Sequence, residues 1–182
     1  ACTALTPERL GATATGGRME CVKLTVIGCS PAWPNPGGAH AGFLVEGWGR
    51  LLLDCGPGVL ARLREHETWP RIDAIAITHF HLDHFGDLVA WVWGARGGPG
   101  ADSPRPELHV PPGGRQWLAS VGEELGHASM FEDSFRLSEF RARTPFAAAG
   151  FRVTAIPVPH YAAGAFAFTV EAGSKRLAYS GD

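Results

Sequence analysis

"ITHFHLDHFGD" (residues 77–87) sets three histidines and two aspartates in eleven positions, at the end of the apolar run "IDAIAIT" (72–78). A short run of that kind is expected to be a strand buried on both faces. The ligand-type residues then fall just past its C-terminal end, where α/β proteins usually place their sites. The two-residue step from His79 to His81 aims both imidazoles the same way if the backbone is extended. The adjacent pair Asp83-His84 points to different sides, so it can serve a second centre. Imidazole nitrogen and carboxylate oxygen suit zinc, iron or manganese. The bland alternative is a cluster of solvated polar side chains capping a helix, with Asp83 as the cap. Three histidines and an aspartate within residues 79–84 are costly to leave unpaired, and that favours metal ligation.

On either side of this stretch, strands and helices mix without strict alternation. "VKLTVIG" (22–28) reads as a strand from its β-branched residues and terminal glycine. "CSPAWPNPGGAHAG" (29–42) is a loop, since Pro and Gly exclude regular structure. "FLVEG" (43–47) and "RLLLDCG" (50–56) form a hairpin around "WG". Pro57 suits a first helical turn, and "GVLARLREHE" (58–67) has the period to follow it. A helix is expected at "DLVAWVWGAR" (87–96), a short strand near Leu108–Val110, and a helix at "RQWLASVGEEL" (115–125). Three strands finish the chain: "FRVTAIPV" (151–158), "AFAFTVEA" (165–172) and "RLAYS" (176–180). The class is α/β with mixed sheets. Residues 1–20 are expected to be a disordered lead-in, and 21–182 one domain that is incomplete at its C-terminus.

Bulk properties narrow the partners. The net charge of −2 provides no global basic field for nucleic acid or anionic membranes. No segment approaches the roughly 18 apolar residues that span a bilayer, so no membrane partner and a cytoplasmic location are expected. The four cysteines show neither CxxC spacing nor the density of a disulfide scaffold, which fits a reduced protein with small buried thiols.

The HxHxDH spacing resembles that of the metallo-β-lactamase superfamily of metallohydrolases, and other motifs follow in the family's order. "LLLDCGPG" (51–58) looks like its first motif, in which Asp54 would brace the metal loop from behind. "THFHLDH" (78–84) is the second, "PVPHYAAG" (157–164) supplies His160, and "AYSGD" (178–182) resembles the motif of the bridging aspartate, Asp182. The resemblance implies an αββα sandwich with mixed β-sheets, represented by the first half and the start of the second. It implies that His79, His81 and His160 hold one metal, that Asp83 and His84 hold another, and that Asp182 is shared. A further histidine, which the family supplies from beyond the bridging aspartate, is not among these residues, so the site is expected to be open on one side.

Two divalent cations, zinc first with manganese or iron as alternatives, would stand roughly 3.5–4 Å apart and need a bridging carboxylate. They lower the pKa of bound water to about 7, giving a metal-bound hydroxide at neutral pH. Asp83 lies beside that water and is the expected catalytic residue, orienting the water or taking up its proton.

Within the superfamily, residue types discriminate. True β-lactamases usually carry another residue where this chain has His84, and several carry Cys in place of Asp182. Thioesterases of the glyoxalase II kind have a GHTxGH-type third motif, which "PVPHYAAGAFAF" (157–168) lacks. The pattern is closest to the ribonuclease Z and cyclic phosphodiesterase branch. Only 21 residues separate His160 from Asp182, and two strands fill them, so no tRNA-gripping arm fits there. The opening "VKLTVIGCSPAWPNPGGAHAGFLVE" (22–46) and "HFHLDHFGDLVAW" (79–91) look like the actinobacterial-type phosphodiesterases that act on cyclic nucleotides. The expected substrate is a small phosphodiester. A tRNA 3′-processing endoribonuclease and a catalytically silent metal-binding domain are the alternatives, and a homodimer is compatible with the resemblance.

No substrate-binding residue is assigned. Trp91 and Trp93 are expected to pack a helix on the sheet, although one could wall the pocket. His40 reads as a surface histidine, His66 suits a helix C-terminus, and His109 and His127 read as solvated or hydrogen-bonded. Cys29 and Cys55 read as core thiols.

Overall fold

Leu51, Leu52 and Leu53 are all fully buried, which requires packed layers on both faces of their strand. The computed structural model, which describes residues 21–66, 69–161 and 164–182, provides those layers. The expected lead-in, 1–20, lies outside the described residues. Strand β3 (Arg50–Leu53) pairs antiparallel with β2 (Gly42–Glu46), which pairs with β1 (Lys23–Gly28). On its other side β3 runs parallel to β4 (Ala74–Ala76), followed by β5 (Glu107–Val110) and β6 (Arg136–Glu139). The six-stranded sheet is therefore mixed, in the order β1 to β6.

Parallel neighbours need crossovers, and helices provide them. These are α1 (Val59–Glu65), α2 (Leu82–Phe85), α3 (Asp87–Gly97), α4 (Gly114–Glu124) and α5 (Met130–Ser134). A second, antiparallel sheet holds β7 (Pro145–Ala148), β8 (Phe151–Val158), β9 (Ala165–Ala172) and β10 (Lys175–Tyr179) in the order β10-β9-β8-β7.

The strand period of two divides the core. Leu52 and Ile75 face the helices, with Leu63, Trp91, Leu118 and Phe131. Leu51, Leu53, Ala74 and Ala76 face the second sheet, against Phe151, Val153, Phe168 and Val170. Alanines on β4 leave room for the Phe140 ring, which sits edge-on to Phe166 and Phe168 at 5.0 and 5.5 Å. Truncating such a fully buried leucine to alanine costs about 2–5 kcal/mol. Among the described residues the helices of this cluster pack on the six-stranded sheet, so the described layers run helix, sheet, sheet.

Five elements depart from the sequence expectation. The supposed ligand loop contains α2, and residues 126–150 supply α5, β6 and β7, so four strands rather than three follow α5 in the second sheet. The strand expected at 72–78 is only Ala74–Ala76. Beyond it Ile77 is still buried, but its N–H bonds to the His109 carbonyl while the chain turns toward the ligands.

Candidate metal centre

Where β3 ends, Asp54 takes a left-handed backbone conformation (φ 60°), which aspartate tolerates better than most residues. The turn carries its fully buried carboxylate toward the end of β4. There it accepts the Thr78 N–H at 2.7 Å, the Thr78 hydroxyl at 2.9 Å, and the Tyr179 hydroxyl at 2.7 Å. His84 Nδ1 also lies 2.7 Å away. These donors satisfy the acceptor sites of one carboxylate, so Asp54 is a fixed buried anchor.

Backbone contacts position the rest of the loop. Cys55 N–H donates to the His84 carbonyl at 2.7 Å, and Ala41 N–H to that of Asp83 at 3.1 Å. A Cβ on Gly56 would fall 1.9 Å from the Asp83 carbonyl oxygen, so only glycine permits this approach. Asp87 N–H bonds to the Cys55 carbonyl, and its carboxylate accepts the Leu60 N–H at 2.7 Å, tying α3 to the start of α1. His160 follows β8 and Asp182 follows β10, so the second sheet delivers both to the end of β4.

The ligand-type residues named from the motifs converge. One donor atom each from His79, His81, His160 and Asp182 lie within 4.8 Å of one another, and so do those of Asp83, His84 and Asp182. Asp182 belongs to both groups. His81 Nδ1 and His160 Nε2 are 2.9 Å apart. His84 Nε2 lies 3.3 Å from Asp182 and 3.6 Å from Asp83. His79 and His84 are buried rather than solvated, and no side chain caps α2.

The hydrogen bonds assign ring protons. The Thr78 hydroxyl donates to Asp54, so it accepts from His79 Nδ1 at 3.0 Å. That leaves the His79 Nε2 lone pair buried and without a partner. An orphaned buried acceptor costs about 1–3 kcal/mol, and a divalent ion would satisfy it. The donor set therefore fits metal ions. Burial, then the neighbouring His84, pushes the His79 pKa down to about 4, so its ring is neutral as ligation requires. Burial also opposes protonation of His84, but the hydrogen bond and charge of Asp54, with Asp182 and Asp83, outweigh it and raise its pKa. Burial first, then Asp54, also raises the Tyr179 pKa, so its hydroxyl stays a donor.

A cleft of about 920 Å³ opens above the ligands, lined on its other surfaces by Cys29, Trp33, Phe43, Tyr161 and Tyr179. Trp33 and Tyr161 are exposed on it. Trp91 is buried edge-on to Trp69, as expected of packing, whereas Trp93 is exposed; neither lines the cleft. Cys29, read as a core thiol, is instead exposed on the cleft. Cys55 is buried, and burial with the Asp87 and Asp54 charges pushes its thiol well up. His40, read as a surface residue, is buried beneath the loop with Nδ1 unpartnered. His109 bonds to Ser138 and Glu107, and His127 to Asp133. Sequence reasoning misses Thr78 and Tyr179: Thr78 stands out only as the residue before His79, and Tyr179 looks like an ordinary strand aromatic.

The beta-lactamase superfamily domain model matches residues 49–182. Ribonuclease Z of Myxococcus xanthus is 30% identical over 145 residues, covering 78% of this chain and 45% of that protein. The chain thus spans less than half of that relative's length. The crystal structure of the metallo-beta-lactamase fold protein YhfI from Bacillus subtilis superposes with a TM-score of 0.75 at 23% identity, covering 88% of this chain and 62% of that one. A diphosphatase from the PhnP family gives a TM-score of 0.66 at 17% identity, covering 82% and 62%.

Proposed function

The chain belongs to the beta-lactamase superfamily, a family of metal-dependent hydrolases, and we propose that it acts as a dinuclear phosphodiesterase on small phosphodiesters such as cyclic nucleotides. The observation that carries this reading is the pair of donor groups sharing Asp182. His79, His81 and His160 would hold one ion, Asp83 and His84 the other, and Asp182 both. Zinc is the ion we assign, and the same donors serve manganese or iron. When bound, two such ions lower the pKa of water to about 7 and withdraw charge from a phosphoryl oxygen.

The chain's own groups supply orientation and proton transfer. Asp54 fixes the His84 ring, and Thr78 fixes that of His79, so both present Nε2 to the site. Asp83 lines the cleft beside His84 and would orient the attacking water and accept its proton. The wide, open cleft suits a small diester entering from solvent.

Ribonuclease Z activity is the second reading, favoured by the Myxococcus xanthus relative. Against it, β9 and β10 form a hairpin between His160 and Asp182, leaving no room for an inserted arm, and the chain is not basic. The test is hydrolysis of bis(p-nitrophenyl) phosphate, 3′,5′-cyclic AMP and precursor tRNA by the full-length protein loaded with zinc or manganese. Turnover of the small diesters, lost in Asp83→Ala, is expected; cleavage of precursor tRNA alone would establish the second reading instead.

A further inference from the structure

His81 lines the metal cleft and also a second cavity of about 430 Å³. The floor of this second cavity is aromatic. Trp117 of α4 stacks on Phe80, with ring centroids 4.3 Å apart and planes 18° apart. Phe85 braces the pair, edge-on to Trp117 at 4.9 Å and to Phe80 at 5.8 Å. Phe80 stands between His79 and His81 in sequence, so this floor is tied to the ligand loop.

Phe166 of β9 also lines the cavity, and the rest of its wall is proline and glycine. Pro111, Pro112, Gly113 and Gly114 form one side. A Cβ on Gly114 would fall 2.7 Å from Val110 Cγ2 and 2.9 Å from Phe80 Cζ, so that position must stay without a side chain. On another side, a Cβ on Gly164 would meet nothing within 4 Å. Among the described residues, no Lys, Arg, Asp or Glu lines the cavity. At the start of α4 the Arg115 N–H is already taken by Glu139 at 2.9 Å. A charged group would lose hydration here with no ionised carboxylate, lysine or arginine to replace it, whereas a flat neutral ring meets apolar aromatic surface, that of the partly exposed Trp117 included.

We propose that this cavity is the subsite for the nucleobase of the substrate, stacked on Trp117 while the phosphodiester lies at the cluster beyond His81. The inference rests on the phosphodiesterase reading and gives it a substrate class: nucleotide diesters rather than alkyl diesters. Specificity comes from the base's flat face, so purines and pyrimidines are both accepted.

The experiment compares full-length wild-type protein with Trp117→Ala, Trp117→Phe and Gly164→Leu, the last adding bulk where the fold has space. Turnover of 3′,5′-cyclic AMP is measured against that of the abasic ribose 3′,5′-cyclic phosphate, with metal content checked throughout. Trp117→Ala and Gly164→Leu should reduce the kcat/KM ratio of the base-bearing over the abasic diester by roughly 5- to 150-fold, the range of base–aromatic stacking. Trp117→Phe should largely retain it. Independently of turnover, NMR should show saturation transfer from the wild-type protein to adenosine protons, and none from either disruptive variant. An unchanged ratio, with saturation transfer to adenosine intact in both variants, overturns the subsite. No turnover of either diester by wild type, with saturation transfer to adenosine abolished in both variants, instead overturns the phosphodiesterase reading and retains the base-binding cavity.

Discussion

Asp54 and His84 meet at 2.7 Å beneath the candidate metal centre, thirty residues apart in sequence and both buried. The contact fixes the His84 ring with Nδ1 toward Asp54 and Nε2 toward Asp83 and Asp182. Asp54→Asn replaces an all-acceptor group with one that presents its own N–H donors to the donors of Thr78 and Tyr179. Losing such support behind a ligand typically lowers metal affinity about 10–100-fold. Metal titration of the variant should show that loss chiefly for one of the two ions. Wild-type affinity for both ions in the variant would remove Asp54 from this role.

Asp83 stands apart from the His79, His81 and His160 group. Asp83→Ala should therefore abolish diester turnover while the protein still binds an ion at those three histidines. Metal analysis alongside the rate measurement separates the two effects. Wild-type rates in the variant would end the assignment of Asp83 as the proton acceptor.

Gly56 lets the backbone of Asp83 approach, since a Cβ there would sit 1.9 Å from the carbonyl oxygen. That atom is backbone and cannot swing aside, so Gly56→Ala must shift the ligand loop. We expect destabilisation of about 1–3 kcal/mol from overpacking, together with weakened metal binding. Chemical denaturation and metal titration of the same variant check both parts.

His79 Nε2, buried and unpartnered, makes the apo protein bear a cost that bound metal removes. Chelation should abolish activity and lower the melting temperature, and zinc or manganese should restore both. At 100-fold excess over Kd the ion contributes about 2.7 kcal/mol by mass action. Calorimetry with and without chelator measures this directly, and no change in melting temperature would argue against a metal at His79.

Much of this architecture is legible because its signals are local. The alternation in "FRVTAIPV" and "AFAFTVEA" specifies β8 and β9 with their observed bounds, since Phe151, Val153, Phe166 and Phe168 must all face one way. The ligands stand out because few other roles demand such residue types so close together. Strand β6 does not: Arg136–Glu139 is short and polar, and only pairing with β5 makes it a strand. The burial of His40 is equally hidden, because it depends on Pro57 and Gly56 folding back over the Pro/Gly loop. Tyr179 reaches Asp54 only because the second sheet packs on the first, a relationship spanning 125 positions.

That same packing makes His109 a test of pH dependence away from the metal ligands. It lies on β5, bonded to Ser138 at 2.9 Å and to Glu107 at 3.2 Å, with its ring 4.8 Å from that of Phe146. Burial lowers its pKa, and Glu107 opposes that shift only in part. As pH falls through the ordinary histidine value of about 6.5, the unfolded chain takes up this proton before the folded one does. The stability His109 contributes is thus present above that value and is lost as pH falls toward its lower folded pKa. His109→Gln keeps hydrogen-bonding capacity without titrating, so its unfolding free energy should fall less between pH 7 and roughly pH 5 than that of the wild type. Denaturation curves across this range measure the difference between the two proteins, which cancels the titration of the site histidines they share. Parallel pH profiles would mean that the folded and unfolded chains protonate His109 alike, contrary to its burial against Phe146.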